Sequence, residues 1–329
     1  MTVPAKKSIE RGETRFLVVC LNPTMQKTLV FNCLALNEVN RVVEQRLDAS
    51  GKGVNVTRVL TQLGEDAVHL THLGGDEGQL FERLCRDDAL SLEVVRCESP
   101  PRTCTTLVDR SASTTTEIVE PTEPVQAGTE NAVVERFRSL LPAVHTLIIS
   151  GTTAPGYTVD LYAGMIAAAR QAGVYVIADF RGAMLKRALR NDPGLRPNMI
   201  KPNLQEFVET FLPGAGVTGG VTVSEHTDDP EILEEVRRRM TELAREGLTT
   251  VITRGANPAL AVDREDPETP VECEPLPLTP VNTIGCGDAF TAGLGAELAR
   301  GGTLHDAIEQ GHVAAAMNAA LLKPGAIRP

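Results

Sequence analysis

Apolar and polar positions along this chain follow two rhythms that take turns. A continuous apolar run from Phe16 to Leu21 predicts a buried strand, ended by Asn22-Pro23. Lys27 to Leu47 mixes polar and apolar residues with too few helical repeats for an amphipathic helix, and is read as short strands. From Gly53 onward the pattern predicts a helix over 54–63, a strand over 67–73, a helix over 77–89 and a strand over 92–97. Two β-branched stretches, Thr103 to Asp109 and Thr114 to Val119, flank Arg110-Ser111-Ala112-Ser113 and predict a hairpin. Alternation then resumes with a helix over 130–141, a strand over 146–150, a helix over 159–172 and a strand over 174–179. Further elements are a strand at 199–201, helices at 204–211 and 230–246, and a strand at 249–253 after the stop at Gly247. Two helices close the chain, one from Asp288 to Arg300 and one opening on the capping-box-like Thr303-x-x-Asp306.

Repeated strand–helix units predict an α/β fold with a Rossmann-like, mostly parallel sheet flanked by helices, whose ligands bind beyond the carboxyl ends of the strands. The β-rich stretches would break such a sheet. They are assigned to a small β-lid, residues 30–47 and 99–121, leaving 16–29, 48–98 and 122–329 as the main domain and 1–15 as a disordered leader.

Composition narrows the function. The net charge of -11 disfavours nucleic-acid binding, which needs basic surfaces, yet a few Lys and Arg can still focus a field on a small anion. No stretch approaches the roughly 18 apolar residues of a membrane span, and residues 1–15 carry charge without an apolar signal core, so neither insertion nor export is expected. The 7 cysteines are scattered without C-x-x-C spacing, which disfavours a disulfide framework or zinc site and suits a reducing cytoplasm. Six dispersed histidines offer no metal-hydrolase cluster, and Ser150-Gly151 lacks the G-x-S-x-G elbow.

Candidate chemistry concentrates in four segments. In Asn282-Thr283-Ile284-Gly285-Cys286-Gly287-Asp288, two glycines lead into an Ala-rich helix, whose first N–H groups at Cys286, Gly287 and Asp288 would face an anion. Asp288 beside that anion could take a proton from an attacking hydroxyl, or it could simply cap the helix. Cys286 reads either as a thiol activated at a helix start or as a small residue in a tight turn, and the absence of a nearby histidine favours the turn. Ser50-Gly51-Lys52-Gly53-Val54-Asn55 again sets glycines before a helix, with Lys52 able to neutralise a phosphate or stay solvated; it lacks P-loop spacing. Lys201-Pro202-Asn203-Leu204-Gln205-Glu206 and Thr253-Arg254-Gly255-Ala256-Asn257 stand at strand ends. Asn203 and Glu206 could hold magnesium through water or form a capping box.

Together and in this order, these segments resemble the ribokinase-like (phosphofructokinase B) carbohydrate kinases, most specifically in Val281-Asn-Thr-Ile-Gly-Cys-Gly-Asp-Ala-Phe-Thr-Ala-Gly293, over about 16–327. Leu21-Asn22-Pro23, Arg102-Thr103, Thr116-Glu117-Ile118 with Glu120-Pro121, and Ser150-Gly151 with Pro155-Gly156 are most similar to the 1-phosphofructokinase and tagatose-6-phosphate kinase branch. The resemblance implies an ATP-dependent, Mg2+-requiring kinase of a sugar phosphate, with Asp288 as base and Gly285, Cys286 and Gly287 as the anion hole. It assigns the acceptor to Gln26, Gly51, Lys52, Gly53, Asn55 and Asp288, with Arg102, Lys52 and Arg41 holding its phosphate. ATP falls to Lys201, Asn203, Thr253, Gly255, Gly287 and Asn318, and Mg2+ to Glu206 and Asn203 through water. A cytoplasmic homodimer joined through the β-lid is further implied.

Three positions depart from the family pattern. Gln26 stands where an Asp commonly binds substrate hydroxyls; Phe180-Arg181 replaces a Thr/Ser-Ser pair, placing a cation on the nucleotide side; and Pro258 replaces a second glycine after Gly255. Two other functions stay open on these residues: a kinase of a free sugar or nucleoside, or a sugar-phosphate sensor without catalysis.

Overall fold

The computed structural model describes residues 15–212, 217–218 and 221–328. All of the expected leader except Arg15 lies outside the described residues. With strands numbered along the chain, the main sheet runs β15 (Asp266–Cys273), β14 (Asn257–Asp263), β13 (Thr249–Arg254), β10 (Met199–Ile200), β9 (Tyr175–Asp179), β8 (Thr146–Ser150), β1 (Arg15–Val19), β4 (Asp66–Leu73) and β5 (Ser91–Arg96). From β13 to β5 every pairing is parallel; β14 and β15 add antiparallel strands at one edge. That edge hairpin was not foreseen. Its outer strand carries Pro267 and Pro270 among exposed acidic residues, a pattern that reads as loop and is tolerated only where no further strand needs the missing N–H.

A separate sheet has the order β3 (Glu44–Ser50), β2 (Thr24–Phe31), β6 (Arg102–Asp109) and β7 (Thr114–Val119). The pairs β2–β3 and β6–β7 are antiparallel, while β2 and β6 run parallel, so the two β-rich stretches of the sequence meet side by side. A short ribbon joins β11 (Val217–Thr218) to β12 (Val221–Thr222).

Period-2 alternation along the inner strands builds the core on both faces of the main sheet. Leu17, Val19, Leu147, Ile149, Val176 and Ile252 pack on one face against α3 (Thr129–Leu140), α4 (Leu161–Gln171), α5 (Gly182–Ala188), α6 (Leu204–Phe211) and α7 (Pro230–Arg245). Phe16, Val18, Ile148, Ile177 and Val251 face α1 (Lys52–Gln62), α8 (Cys286–Ala299) and α9 (Leu304–Ala319). The remaining helix, α2 (Gly75–Asp87), packs Phe81 and Cys85 with Met25, Ala49 and Leu73, tying the second sheet to the first. Among the described residues no helix is long and apolar enough to cross a membrane.

Candidate active site

The carboxyl ends of the parallel strands open onto a cavity of about 930 Å³, roofed by the second sheet. Thr24 and Gln26 of β2, Arg102 and Cys104 of β6 and Glu117 of β7 line it, alternate residues of one face as the pleat requires. From the main sheet come Asp179, Lys201 and Thr253, and from helix starts Lys52, Asn203 and the 285–288 turn. Most of the candidates from the sequence therefore converge on one space. A smaller cavity of about 160 Å³ adjoins it through shared residues, among them Lys52 and Arg102.

Asp288 is not the cap of its helix. Gly285 holds that position in the left-handed region at φ 84, and Asp288 falls three residues into the first turn. A Cβ on Gly285 would lie 2.5 Å from the backbone nitrogen of Gly325, so both conformation and packing exclude a side chain there. The Cys286 N–H turns back to the Thr283 carbonyl at 3.3 Å, whereas the N–H groups of Gly287 and Asp288 have no partner among the described residues. Burial lifts the Asp288 carboxyl to about 7 and the nearby Asp179 adds to it, against the lowering pull of Lys52, Lys201 and an Asn55 hydrogen bond.

Asn55 donates from Nδ2 to Asp288 Oδ2 at 2.8 Å. Its own Oδ1 accepts from Ser50 Oγ at 3.1 Å and Arg58 Nη1 at 3.2 Å. A guanidinium has only donors, so Arg58 fixes which way the amide points. Arg58 is itself fully buried and bonded to the Ala49 and Pro324 carbonyls and to Asp88. A chain of oriented groups thus runs from the C-terminal segment to the carboxylate.

Asp179, at the end of β9, is a member of the site that motif reading did not assign. It is buried and sits 3.7 Å from Lys52 Nζ and 3.6 Å from Lys201 Nζ, and it accepts from Ser150 Oγ and Thr291 Oγ1. Despite burial, Lys201 and Lys52 hold its carboxyl below the usual range. Burial opposes the Lys52 charge, but Asp179, Glu206 and Asp288 outweigh it and raise the ammonium's pKa. The signal was absent locally, because β9, α1 and β10 meet only once the sheet is assembled.

Asn203 and Glu206 form a capping box at the start of α6: Asn203 Oδ1 accepts from the Glu206 N–H and Glu206 Oε2 from the Asn203 N–H. Glu206 Oε1 still reaches Lys52 at 3.4 Å, and Asn203 Nδ2 donates to Glu225, a second carboxylate on the cavity wall. The oxygen of Asn203 is thus committed to the helix, and the carboxylates beside it are those of Glu206, shared between the cap and Lys52, and Glu225. Gln26 uses both hydrogens of its amide on β6, at the Cys104 carbonyl (3.2 Å) and Thr106 Oγ1 (2.7 Å), which leaves Oε1 as an acceptor.

Three expectations change, and the choice left open at Cys286 narrows to the one already favoured, a small residue in a tight turn. Arg41 is exposed on the β2–β3 connection and lines neither cavity, since the chain leaves the sheet there. Asn318 is fully buried behind the turn: Nδ2 donates to the Ile284 carbonyl and Cys286 Sγ, and Oδ1 accepts from the Ala326 N–H, so it shapes the turn and lines no cavity. Burial raises the Cys286 thiol to about 11, which removes the nucleophile reading. Arg181 lies on the wall of the smaller cavity with Lys52 and Arg102, away from the lining that holds Thr253 and Gly255. Gly53, at the second position of α1, is packed so that a Cβ would lie 2.4 Å from that of Cys20. Pro258 is the second residue of β14, where its carbonyl accepts from Arg254 at 3.4 Å.

Residues 17–329 match the model of the pfkB family of carbohydrate kinases. Among solved structures, phosphofructokinase-2 from Escherichia coli is 20% identical, with a TM-score of 0.79 over 94% of this chain and 94% of that one. A complex of the same enzyme with fructose-6-phosphate aligns at 19% identity and TM-score 0.76, covering 92% and 93%. A possible 1-phosphofructokinase from Thermotoga maritima is 21% identical at TM-score 0.79, covering 94% and 93%.

Proposed function

Because this chain belongs to the pfkB family of carbohydrate kinases, phosphotransferases acting on a sugar hydroxyl, we propose that it moves the γ-phosphate of MgATP to a sugar phosphate. The acceptor is of the type used by 1-phosphofructokinase or tagatose-6-phosphate kinase. One observation carries this reading: a buried carboxyl titrating at about 7 stands beside two unpartnered N–H groups at a helix start, in a cavity that also holds Lys52 and Lys201.

Phosphoryl transfer asks little covalent work of a protein; position and charge do most of it. Asp288, as carboxylate, accepts the proton of the attacking hydroxyl; with its pKa near neutrality it is a stronger base than an ordinary carboxylate and is still about half ionised at pH 7. The Gly287 and Asp288 N–H groups take the charge that builds on the transferring phosphoryl oxygens. Lys52, held by Asp179 and Glu206, fixes the approach of acceptor and phosphate. Gln26 offers an acceptor oxygen to a sugar hydroxyl, the same polarity as the carboxylate it replaces but without the charge.

The lining of the cavity also includes Leu276, Pro277, Leu278, Ala315 and Ala316, apolar surface of the kind that suits a nucleobase. Glu206 and Glu225 supply the hard oxygens that would hold Mg2+ through water, and the ion would offset phosphate charge. On the second sheet and the β2–β3 connection, Leu36, Val39, Val43, Leu47, Ile118 and Val119 are exposed, which supports a homodimer joined there.

The test is ADP release and product formation with ATP across sugars and their phosphates. Turnover of a sugar phosphate well above its parent sugar is expected. Preference for the unphosphorylated sugar would overturn the acceptor assignment, and silence alongside clear ligand binding would leave only a sensor.

A further inference from the structure

The smaller cavity carries three cations on its wall, Lys52, Arg102 and Arg181, against one carboxylate, Glu206. The larger cavity has the opposite balance, with Asp179, Asp288 and four glutamates facing four cations. In a chain of net charge -11, the small cavity therefore offers a second anion a locally positive wall, apart from the 285–288 turn. None of the 285–288 turn lines it, while Thr24 and Arg102 of the second sheet do, which puts it on the acceptor side.

Its cations are not equivalent. Lys52 is already matched by Asp179 and Glu206. Arg102 makes one hydrogen bond, Nε to Thr24 Oγ1 at 3.3 Å, and no ion pair among the described residues, so both terminal nitrogens stay unused. Arg181 is tethered through Nη1 to Glu209 Oε2 at 3.0 Å, and Gln205 steadies that glutamate at 2.9 Å. Among the described residues this leaves Nε and Nη2 of Arg181 without partners. Two guanidinium groups with spare donors, one restrained by a carboxylate, suit the multiple oxygens of a phosphate monoester, which a lone lysine would meet only as a point charge.

Resting on the sugar-phosphate kinase reading, we propose that Arg181 determines acceptor specificity, pairing with Arg102 to hold the phosphate that the sugar already bears. The position that the sequence pattern gave to the nucleotide side thereby serves the acceptor, and it supplies the cation that Arg41, exposed elsewhere, does not bring to this wall.

Initial rates on acceptor pairs differing only in a phosphate, such as fructose and fructose 6-phosphate or fructose 1-phosphate, test this in the unchanged protein and in Arg181→Ala, Arg181→Lys and Arg102→Ala. Arg181→Ala should raise KM for the phosphorylated acceptor roughly 10-fold or more, with kcat and the KM for ATP changed less than about 2-fold. Arg181→Lys should recover part of the loss, and inhibition by inorganic phosphate should weaken in step. A normal KM in Arg181→Ala beside a large defect in Arg102→Ala overturns the role of Arg181 and leaves the kinase reading standing. A raised KM for ATP alone would give the cavity to the donor and equally overturn it. Equal use of phosphorylated and free sugar by the unchanged protein would sink the underlying reading instead. Should no acceptor turn over, calorimetric binding of inorganic phosphate decides: equal affinity in the parent and Arg181→Ala refutes the subsite.

Discussion

Replacing Asp288 by Asn should abolish catalysis and at the same time stabilise the protein. In the folded chain the carboxyl titrates at about 7, against an ordinary value of 3.8, chiefly because burial penalises its charge. A group whose pKa rises on folding favours the folded state fully below the unfolded value, and that advantage is lost as pH climbs to the folded value. The parent should thus lose stability between about pH 4 and pH 7, then level off, while Asp288→Asn has no such slope. At ~1.36 kcal/mol per pH unit the gap reaches about 4 kcal/mol, and local relaxation around a buried charge brings it to roughly 2–4 kcal/mol. For 329 residues that is a rise in Tm of about 3–6 °C at pH 8. The side chain of Asn still offers an oxygen to Asn55 Nδ2, so the packing survives. Thermal unfolding of both proteins at pH 5 and pH 8 checks this. A gap that is equal at the two pH values, or a variant less stable at pH 8, would refute the claim that the site holds a strained carboxylate.

Three further outcomes follow from the same contacts. The kcat/KM profile should fall on its acid side with a midpoint near pH 7, and Asn55→Ala, which removes a donor to the carboxylate, should move that midpoint upward; a pH–rate series reads it. Gly325→Ala places a Cβ 2.2 Å from that of Asn55 at a φ of 59, so unfolding measurements should show a loss of about 2–4 kcal/mol, and kinetics a kcat reduced more than KM. Leu36→Glu with Val39→Glu should turn a dimer into a monomer in sedimentation velocity, since both side chains are more than 80% exposed in one chain.

Much of the architecture was legible because its cues are local. Phe16 to Val19, Thr146 to Ser150 and Tyr175 to Asp179 are short, mostly apolar runs, as strands buried on both faces of a parallel sheet require. The turn at Gly285 to Asp288 was readable for the same reason: glycines before an Ala-rich helix state a backbone requirement. What was hidden depends on distant partners. The seven residues of α5 make only about two turns and bury just Leu185 and Ala188, too few positions to mark an apolar stripe, and the proline-bearing β15 reads as loop until β14 pairs with it. The roles of Asp179, Arg58 and Asn318 come from segments brought together by sheet order, and no spacing within any one segment announces them. Asn203 and Glu206 show the reverse case, where one short motif suits both a cap and a ligand site, and the folded helix makes the cap.

On the proposed function, Asp288 is the base of an ATP-dependent transfer to a sugar hydroxyl. Its most direct test follows labelled γ-phosphate from ATP into sugar phosphates, with ATP affinity measured in parallel, for the parent protein and Asp288→Asn. Labelled sugar product is expected from the parent, with transfer reduced roughly 10³-fold or more in the variant and ATP affinity within about 2-fold. Undiminished transfer in Asp288→Asn would contradict it.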